Sequence, residues 1–291
     1  MSAPEAKIIC DSISPNGDRC TTMEVKLHRF VLAELNTHRV FSRNSASSRA
    51  IPVMKILERV NHDPAMPVWW GKNQAGMSAK EELSLADSIT AQQIWLEARD
   101  NAVKAASALT VLGLHKQITN RLLEPWMWHH AIITSTEWTN FFSQRCHPDA
   151  QPEMNAAAMA MQLAYFQSTP KLIEYNQWHL PYITDEDWRQ IQASDQAPHA
   201  WRELKRISVA RCARVSYLTH DGVRDIAKDL DLYDKLANAA PMHASPFEHV
   251  ATPRHDNWSQ RGNLKGWDQF RHSFDNESVK TFVPNHPELQ Q

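Results

Sequence analysis

The chain has 291 residues and a formal net charge of −2 at pH 7, a balance that does not favour a nucleic-acid coat or a membrane-surface protein. Its four cysteines lie far apart without a CxxC pair, which argues against a zinc ribbon or a disulfide framework and fits a reducing cytoplasm. The seven glycines form no GxGxxG motif, and the nearest approach to a P-loop has Met77 where the phosphate-binding lysine belongs. An anion must therefore be bound locally, by side chains.

The length and the hydropathy of the chain also limit its class. The chain is long enough to bury the core of one large domain. It starts without a basic stretch followed by an apolar run, and no segment approaches the roughly 18 continuous apolar residues of a membrane helix. We therefore expect a soluble, unexported, cytoplasmic protein that does not associate with membranes.

The first predicted elements are a strand and a helix. Met23, Val25 and Leu27 alternate with polar residues, which predicts a half-buried strand, and a helical rhythm follows directly. Residues 62–80 are rich in turn formers and predict a surface excursion. The next segment predicts a long amphipathic helix that ends at Gly113.

The second half of the chain is predicted to be largely helical. Residues 153–168 form one such segment, in which Met159, Leu163 and Phe166 recur at helical spacing, so we expect these three side chains in the core. Acidic first turns and helical periodicity predict further helices over three segments, namely 184–192, 197 to at least 212, and 223–239.

Together these elements predict an α+β fold. We expect a mostly helical single domain over residues 1–291 around a small mixed or antiparallel sheet. A possible seam lies within 178–199, and 254–291 is interpreted as a C-terminal extension. Trp267, Arg271 and His272 in that extension would share one helical face, for which an ordinary packing helix is the simpler interpretation than a cover over a site.

The segment 35–52 is the densest in chemistry. It contains one histidine, three arginines and four serines but no acid. Guanidinium groups bind phosphate with two parallel hydrogen bonds, and hydroxyl groups supply further donors. A solvated basic loop remains the commoner explanation for such a composition, so this segment alone does not decide the function.

A second candidate region spans 118–154. Arg121 and Arg145 stand there among five tryptophans and phenylalanines, a mixture suited to a planar ring with a phosphate tail. An aromatic core with capping arginines is an equally good interpretation. Adjacent His129 and His130 point in different directions on a helix or a strand, so we expect no metal site.

A third region, 242–253, combines a proline and an aromatic residue with polar side chains. Ser245 and Glu248 have the spacing of a capping box, in which the serine caps a helix and the glutamate reaches back to it. That structural interpretation leaves His243 and His249 unexplained.

The three regions together resemble the flavin-dependent thymidylate synthases. The sequence THRVFSRNSASSR, residues 37–49, is similar to a family signature that reads Arg-His-Arg, two residues, Ser, one residue, Asn-Glu, one residue, Ser, one residue, Arg. NFFSQRCHPDAQPEM, residues 140–154, resembles the block that contains a ring-binding arginine. ARVSY at 213–217 and HASPFEHV at 243–250 resemble motifs that stand at the family's N-terminal end, so their order here is that of a circular permutation.

The resemblance implies a fold, a reaction and a set of roles. The fold would be that of the family, and the enzyme a homotetramer in which FAD, methylenetetrahydrofolate and dUMP meet, with NADPH as the reductant. A one-carbon unit would go to C5 of the pyrimidine. Ser47 and Arg145 would be the catalytic residues. The substrate would be held by Glu34, Ser47, Arg49, Arg121 and Arg145, and the flavin by His38, Arg39, Ser42, Asn44, Asn140, His243, Ser245 and Glu248.

Several positions depart from the family pattern. Thr37 replaces the first signature arginine, Ser45 replaces the glutamate, and Glu34 stands where the family has an amide. A carboxylate only accepts hydrogen bonds, so Glu34 would suit the amino group of cytosine. We therefore expect pyrimidine C5 methylation or hydroxymethylation, with dUMP as the first choice and dCMP or a nucleic-acid pyrimidine as alternatives. A non-catalytic flavin- or nucleotide-binding homologue remains open, whereas the near-neutral charge disfavours a nucleic-acid-binding protein.

Overall fold

A mixed five-stranded sheet forms the centre of the protein. The computed structural model describes residues 2–215, 224–255 and 262–278. The strands are β1 (Glu5–Ile13), β2 (Arg19–His28), β3 (Ser42–Ser45), β4 (Trp128–Ser135) and β5 (Lys171–Leu172), and they lie in the order β3-β4-β2-β1-β5. All neighbouring strands are antiparallel except β1 and β5. The predicted α+β class with a mixed sheet is thus confirmed.

The predicted strand is β2, which lies between β1 and β4. Met23, Val25 and Leu27 are at most 1% exposed, so the alternation identified the buried face correctly. Met23 lies opposite Ile133 of β4, and both side chains belong to one core cluster. This core contains residues of the sheet and of the two helices that follow β4. The packing fixes these two helices against the sheet.

Nine α-helices occur in the described ranges. They are α1 (Leu32–Leu35), α2 (Val53–His62), α3 (Leu85–Val111), α4 (Lys116–Thr119), α5 (Thr139–Arg145), α6 (Pro152–Gln167), α7 (Asp185–Gln192), α8 (Ala200–Arg214) and α9 (Ile226–Ala237). The predicted helices α3, α6, α7, α8 and α9 are confirmed. Gly113 has a φ of 79° directly after the end of α3, which is the left-handed conformation that ends helices. The side chain of Thr184 caps α7 in a capping box with Asp187.

The prediction for the apolar stripe of α6 is wrong. Met159, Leu163 and Phe166 are 47%, 60% and 70% exposed. The buried side of α6 consists instead of Met154, Ala157, Ala158 and Met161. Because α6 is apolar on most of its circumference, periodicity does not tell which side faces the sheet.

The region after 250 also differs from the prediction. Strand β6 (Ala251–Pro253) pairs with strand β7 (Trp267–Gln269), and a short 3-10 helix (Phe270–Ser273) follows. Trp267 is fully buried and belongs to the strand, so it shares no helical face with Arg271 and His272. Ser216 and Tyr217 of the ARVSY motif lie outside the described residues. The single domain, the seam at 178–199 and the extension stay predictions.

Two cores meet at β3. One packs the sheet against α5 and α6, and the other joins α8 and α9 to a 3-10 helix, Ser245–His249. That 3-10 helix contacts β3, α8 and β4. The third sequence region therefore lies beside the signature. Within the residues that the structure describes, no helix is long and apolar enough to cross a membrane.

Candidate active site

Strand β3, the central part of the signature, lies at an edge of the sheet, and the two faces of this strand have different surroundings. Ser42 lies opposite Thr134 and Ser45 opposite Ala131 of β4. Side chains alternate along a strand, so Ser42 and Asn44 point to one face, where both are buried, and Arg43 and Ser45 are half-buried on the other. Residues 42–45 of the signature are therefore an extended strand rather than part of a solvated basic loop.

Asn44 joins the signature to the third region. The Ser245 hydroxyl donates to Asn44 Oδ1 at 2.9 Å, although the two residues are 201 positions apart. The Asn44 amide nitrogen donates to the carbonyl oxygen of Cys212 at 3.1 Å, which ties β3 to α8 as well. The structure thus brings two of the predicted flavin residues into direct contact.

The predicted capping box in the third region is wrong. Ala244 is the N-cap of the 3-10 helix, and no side chain caps it. Ser245 and Glu248 are engaged elsewhere: Ser245 donates to Asn44, and Glu248 pairs with Arg271. The reason is tertiary, since partners from distant parts of the chain take the hydroxyl and the carboxylate that a local cap would have used.

Arg145 is the centre of a second group of predicted residues. Its Nε donates to Nε2 of His38 at 2.9 Å, Nη1 to Oε2 of Glu34 at 3.0 Å, and Nη2 to the Thr37 hydroxyl at 3.2 Å. Helix α5 ends at Arg145 and packs into the core through Phe141 and Phe142. The helix therefore fixes the backbone of Arg145, and the three hydrogen bonds fix its guanidinium. Its three nitrogens are oriented by Glu34 of α1 and by the first two residues of the signature, Thr37 and His38.

The histidine in this group is neutral. Burial lowers the pKa of His38 to about 4, with the charges of Arg145 and Arg43 acting in the same direction. Because Nε2 accepts a hydrogen bond from Arg145, the ring proton is assigned to Nδ1. The group therefore combines one guanidinium, one carboxylate and one neutral imidazole.

Arg43 has a structural part in this arrangement. Its Nη1 donates to the carbonyl oxygens of Leu35 and His38, at 3.0 and 3.4 Å. Burial lowers its pKa, and the carboxylate of Glu248 opposes that change. Arg43 thus fixes the turn between α1 and β3, and with it the position of His38.

The remaining nucleotide residues lie beyond the other end of β3. Arg121 pairs with Glu124 at 2.7 Å, and the same carboxylate oxygen accepts from Ser48 and from Arg29, both at 3.1 Å. Arg49 is exposed, and its backbone nitrogen donates to the Ser47 hydroxyl at 3.3 Å. The four residues of β3, about 13 Å of extended chain, separate this group from the one around Arg145. The substrate residues predicted from sequence therefore form two groups.

The other predicted flavin residues are distributed around the Arg145 group. His38 and Asn140 line one cavity of about 670 Å³, together with Lys265. Arg39 and His243 are exposed. Ser42 accepts hydrogen bonds from Gln269 at 2.8 Å and from Asn263 at 3.3 Å, so it is bound within the protein.

Sequence reasoning missed several residues that shape this region. Gln269 and Lys265 carried no signal in the sequence, because only the pairing of β6 with β7 brings that segment to β3. Arg271 was noted, but as part of a helical face. It holds Glu248 in place and also donates from Nε to Glu277 at 2.8 Å.

His249, which the sequence left unexplained, belongs to a buried chain of hydrogen bonds. Its Nδ1 lies 2.8 Å from the Thr134 hydroxyl, which lies 2.6 Å from the Thr22 hydroxyl. Thr22 continues to His179 Nε2 at 2.7 Å, and His179 Nδ1 to the Ser12 hydroxyl at 2.8 Å. Burial lowers the pKa of His179 to about 4 and, together with the charge on His179, that of His249 to about 3. This chain fixes the 3-10 helix to the sheet.

Comparisons with known proteins agree with the signature. The family model of the thymidylate synthase complementing proteins matches residues 19–171. Two solved structures, both of a UMP/dUMP methylase, PolB, from Streptomyces cacaoi, are similar in part. The one bound with 5-Br dUMP is 14% identical with a TM-score of 0.44 and covers 57% of this chain and 91% of its own. The one bound with 5-Br UMP is 15% identical with a TM-score of 0.46 and covers 57% and 90%. No curated protein matches.

The family match includes β2, the signature and the segment that ends with α6, and therefore the Arg145 group and the Arg121 group alike. The motifs at 213–217 and 243–250 lie beyond it, so the circular permutation stays a prediction. Because the match covers more than half of the chain, this protein belongs to the thymidylate synthase complementing protein family, the flavin-dependent thymidylate synthases, and is an enzyme of the pyrimidine C5 methylase type.

Proposed function

We propose that this protein is an FAD- and folate-dependent methylase that transfers a one-carbon unit from methylenetetrahydrofolate to C5 of dUMP, which yields dTMP. The observation that carries the proposal is the contact between Asn44 and Ser245. It joins two motifs that are far apart in sequence and that both resemble flavin-binding motifs. Asn44 follows His38, a partner of Arg145, by six residues, which connects this contact to the Arg145 group.

The residues around this contact fit a flavin dinucleotide. His38 and Asn140 share a cavity with Lys265 and with the acids Asp18 and Glu137, and Arg39 and His243 are exposed donors in the two motifs. A pyrophosphate requires such donors when no Gly-rich loop is present. We assign the flavin to His38, Arg39, Ser42, Asn44, Asn140, His243, Ser245 and Glu248. When bound, the flavin supplies the hydride after reduction by NADPH.

Arg145 is the residue that we assign to the pyrimidine ring. Attack on the ring builds negative charge on its carbonyl oxygen, and a fixed guanidinium stabilises that charge. His38 and Thr37 already hold the guanidinium from two sides, so little reorganisation is needed. The role of Ser47, Arg49 and Arg121 is then to bind the nucleotide phosphate, with Ser47 also near the reacting ring.

The two nucleotide groups lie at opposite ends of β3, which supports a site shared between subunits. One copy would supply the Arg145 group and a second copy the Ser47, Arg49 and Arg121 group. This arrangement agrees with a homotetramer, as the family resemblance implies. Sedimentation of the purified protein measures the number of copies, and a monomer that turns over substrate would contradict it.

Glu34 favours dCMP as the second candidate substrate. Its Oε2 accepts from Arg145 at 3.0 Å, and a carboxylate next to the ring would accept from the amino group of cytosine. The uracil ring offers a carbonyl oxygen at the same place, which a carboxylate disfavours. The choice between the two bases therefore depends on Glu34.

The deciding experiment has two steps. The absorbance spectrum of the purified protein shows whether flavin is bound. The protein is then incubated with methylenetetrahydrofolate and NADPH and with dUMP, dCMP or UMP, and the products are separated by chromatography. Formation of dTMP supports the proposal, and a methylated or hydroxymethylated cytosine nucleotide supports the second candidate.

The alternatives give different results in the same experiment. A yellow protein that NADPH reduces but that modifies none of the three nucleotides is a non-catalytic homologue. A colourless protein that binds neither FAD nor any nucleotide would overturn the proposal. The cytoplasmic location expected from the sequence is checked separately, by fractionation of expressing cells.

A further inference from the structure

A second cavity, of about 310 Å³, lies between β2, β4, α2 and the segment after β3. This volume is at the lower end of the range for small-molecule sites. One wall is formed by Trp126, Met127 and Trp128, and the opposite wall by aliphatic side chains of α2 and its approach. None of the residues assigned to flavin or nucleotide lines it. The cavity is therefore separate from the proposed active site.

The lining of this cavity carries an excess of positive charge. Lys26, Arg29 and Arg59 contribute three cations, and Asp63 is the only acid of the lining. Lys26 lies 3.7 Å from Asp63, and Arg29 pairs with Glu124. Arg59 is exposed and forms no ion pair within the part of the chain that the structure describes. One lining cation is thus available to an anion from outside.

His129, which also lines the cavity, is 2% exposed, and its Nδ1 lies 3.1 Å from Arg29. This contact and the pair with Glu124 fix the position of Arg29. Arg59 is therefore the lining cation that a ligand can attract.

We propose that this cavity binds a small planar ring that carries one anionic group, either a carboxylate or a phosphate. The ring packs against the aromatic wall formed by Trp126 and Trp128, and the anion pairs with Arg59. Lys26 already lies 4.6 Å from the ring centre of Trp128, which gives this wall a cation as well. The cavity combines the two elements that such a ligand requires.

The site is connected to the signature. Ser48 lines the cavity and donates to Glu124, and the same carboxylate also holds Arg121. A ligand that contacts Ser48 would therefore change the hydrogen bonding of Glu124 and, through it, the position of Arg121. Binding in this cavity is expected to affect the nucleotide group without contact between the two ligands.

Calorimetric titration of the full chain tests the proposal. Orotate and phenyl phosphate serve as the carboxylate and phosphate probes, and uracil and phenol as their uncharged counterparts. We expect at least one charged probe to bind about tenfold or more tightly than its counterpart. Arg59→Gln should weaken that binding by about tenfold, whereas Arg59→Lys should retain most of it.

Two controls distinguish this site from the proposed active site. Arg189, an exposed arginine on α7 with 73% of its side chain accessible, provides a matched variant, and Arg189→Gln should bind the probes like the unmodified protein. Arg145→Lys should also leave their binding unchanged. Failure of both charged probes to bind, or equal binding by Arg59→Gln, would overturn the proposal. Loss of binding in Arg145→Lys alone would assign the probes to the nucleotide site instead. Since none of these measurements needs turnover, their outcome is independent of the methylase proposal.

Discussion

Two arginines of this protein, Arg211 and Arg145, have similar numbers of partners but opposite surroundings. Arg211 is 5% exposed and donates to both carboxylate oxygens of Asp187, at 2.7 and 2.8 Å, and to Asp229 at 2.9 Å. Arg145 is 20% exposed and meets one carboxylate, that of Glu34, which is 34% exposed. Its other two partners, His38 and Thr37, are uncharged.

The difference shows how a structural arginine is distinguished from a functional one. Two buried acids, which Arg214 and Arg224 also contact, and the carbonyl oxygen of Tyr182 accept hydrogen bonds from Arg211, so most of its donors are engaged inside the protein. The single acid and the two neutral partners orient Arg145 and leave it accessible to solvent. A guanidinium that is oriented but only partly compensated is suited to stabilise charge that develops in a reaction.

The largest expected effect concerns the structural arginine. Arg211→Ala would leave Asp187 and Asp229 buried, with Arg224 as the remaining partner of Asp187 and Arg214 as that of Asp229. Removing one partner of a buried pair costs about 3–5 kcal/mol. Because these two arginines keep part of the compensation, we expect a loss at the lower end of that range in the free energy of unfolding, measured with urea. Arg189→Ala on the surface of α7 is the matched control and should change it by less than about 1 kcal/mol. A small effect of Arg211→Ala would remove the distinction between the two sites.

The next prediction concerns Arg145 and rests on the proposed function. Arg145→Lys keeps a charge but loses the fork that reaches His38, Glu34 and Thr37. We expect kcat/KM for the nucleotide to fall by about 10²–10³, as for other groups that stabilise charge in a transition state. The unfolding free energy should change by less than about 1 kcal/mol, because the pair with Glu34 is partly exposed. A stability loss as large as that of Arg211→Ala would assign Arg145 a structural role.

The buried chain between His249 and Ser12 predicts a dependence of stability on pH. The pKa of His179 is lowered to about 4 and that of His249 to about 3, both from 6.5, chiefly by burial. The unfolded chain therefore binds more protons below pH 6.5, so stability is complete above that value and falls as the pH falls towards 4 and then 3. The loss approaches about 1.4 kcal/mol per histidine for each pH unit.

The measurement for this prediction is urea denaturation at pH 7, 6 and 5. His179→Gln, whose amide offers both a donor and an acceptor to Thr22 and Ser12, should reduce the dependence by about one fifth, because burial also lowers the pKa values of His38, His129, His130 and His249. An unchanged slope in this variant would show that other groups cause the acid sensitivity. The Arg145 group contains a single histidine, His38, so this group contributes less to the pH dependence of stability than the buried chain with its two histidines.

The smallest effect is expected from Glu34. Glu34→Gln restores the amide that the family has at this position and removes the one acid that compensates Arg145. We expect the ratio of kcat/KM for dUMP to that for dCMP to rise by about tenfold, because an amide can also donate to a carbonyl oxygen of uracil. Glu97→Gln, at an exposed position on α3, is the control. An unchanged ratio would exclude Glu34 as the residue that selects the base.

The sequence predicted the local elements and the family well. Alternation identified the buried face of β2, Gly113 agrees with the end of α3, and the signature led to the right family. Periodicity failed at α6, where Met159, Leu163 and Phe166 are exposed. An apolar helix satisfies the helical pattern on more than one side, and only the position of the sheet selects which one is buried.

The assignment of individual site residues could be predicted only in part. The resemblance to the family motifs identified Asn44, Ser245 and Arg145 as site residues. The structure gives each of them a defined partner, and their roles stay predictions. The local rule for Ser245 and Glu248 was wrong because partners from β3 and from Arg271 replaced the expected cap. Gln269 and Lys265 had no signal in the sequence, since their place depends on the pairing of β6 with β7.

The sequence by itself determined the α+β class, the positions of most helices and the family, because periodicity, caps and a spaced motif are local properties of the chain. Only the tertiary structure decided which side chains meet. Asn44 and Ser245 are 201 positions apart, and Arg145 and Glu34 are 111 apart. Contacts over such separations depend on how the sheet and the helices pack around a shared core, and no short stretch of sequence contains that information.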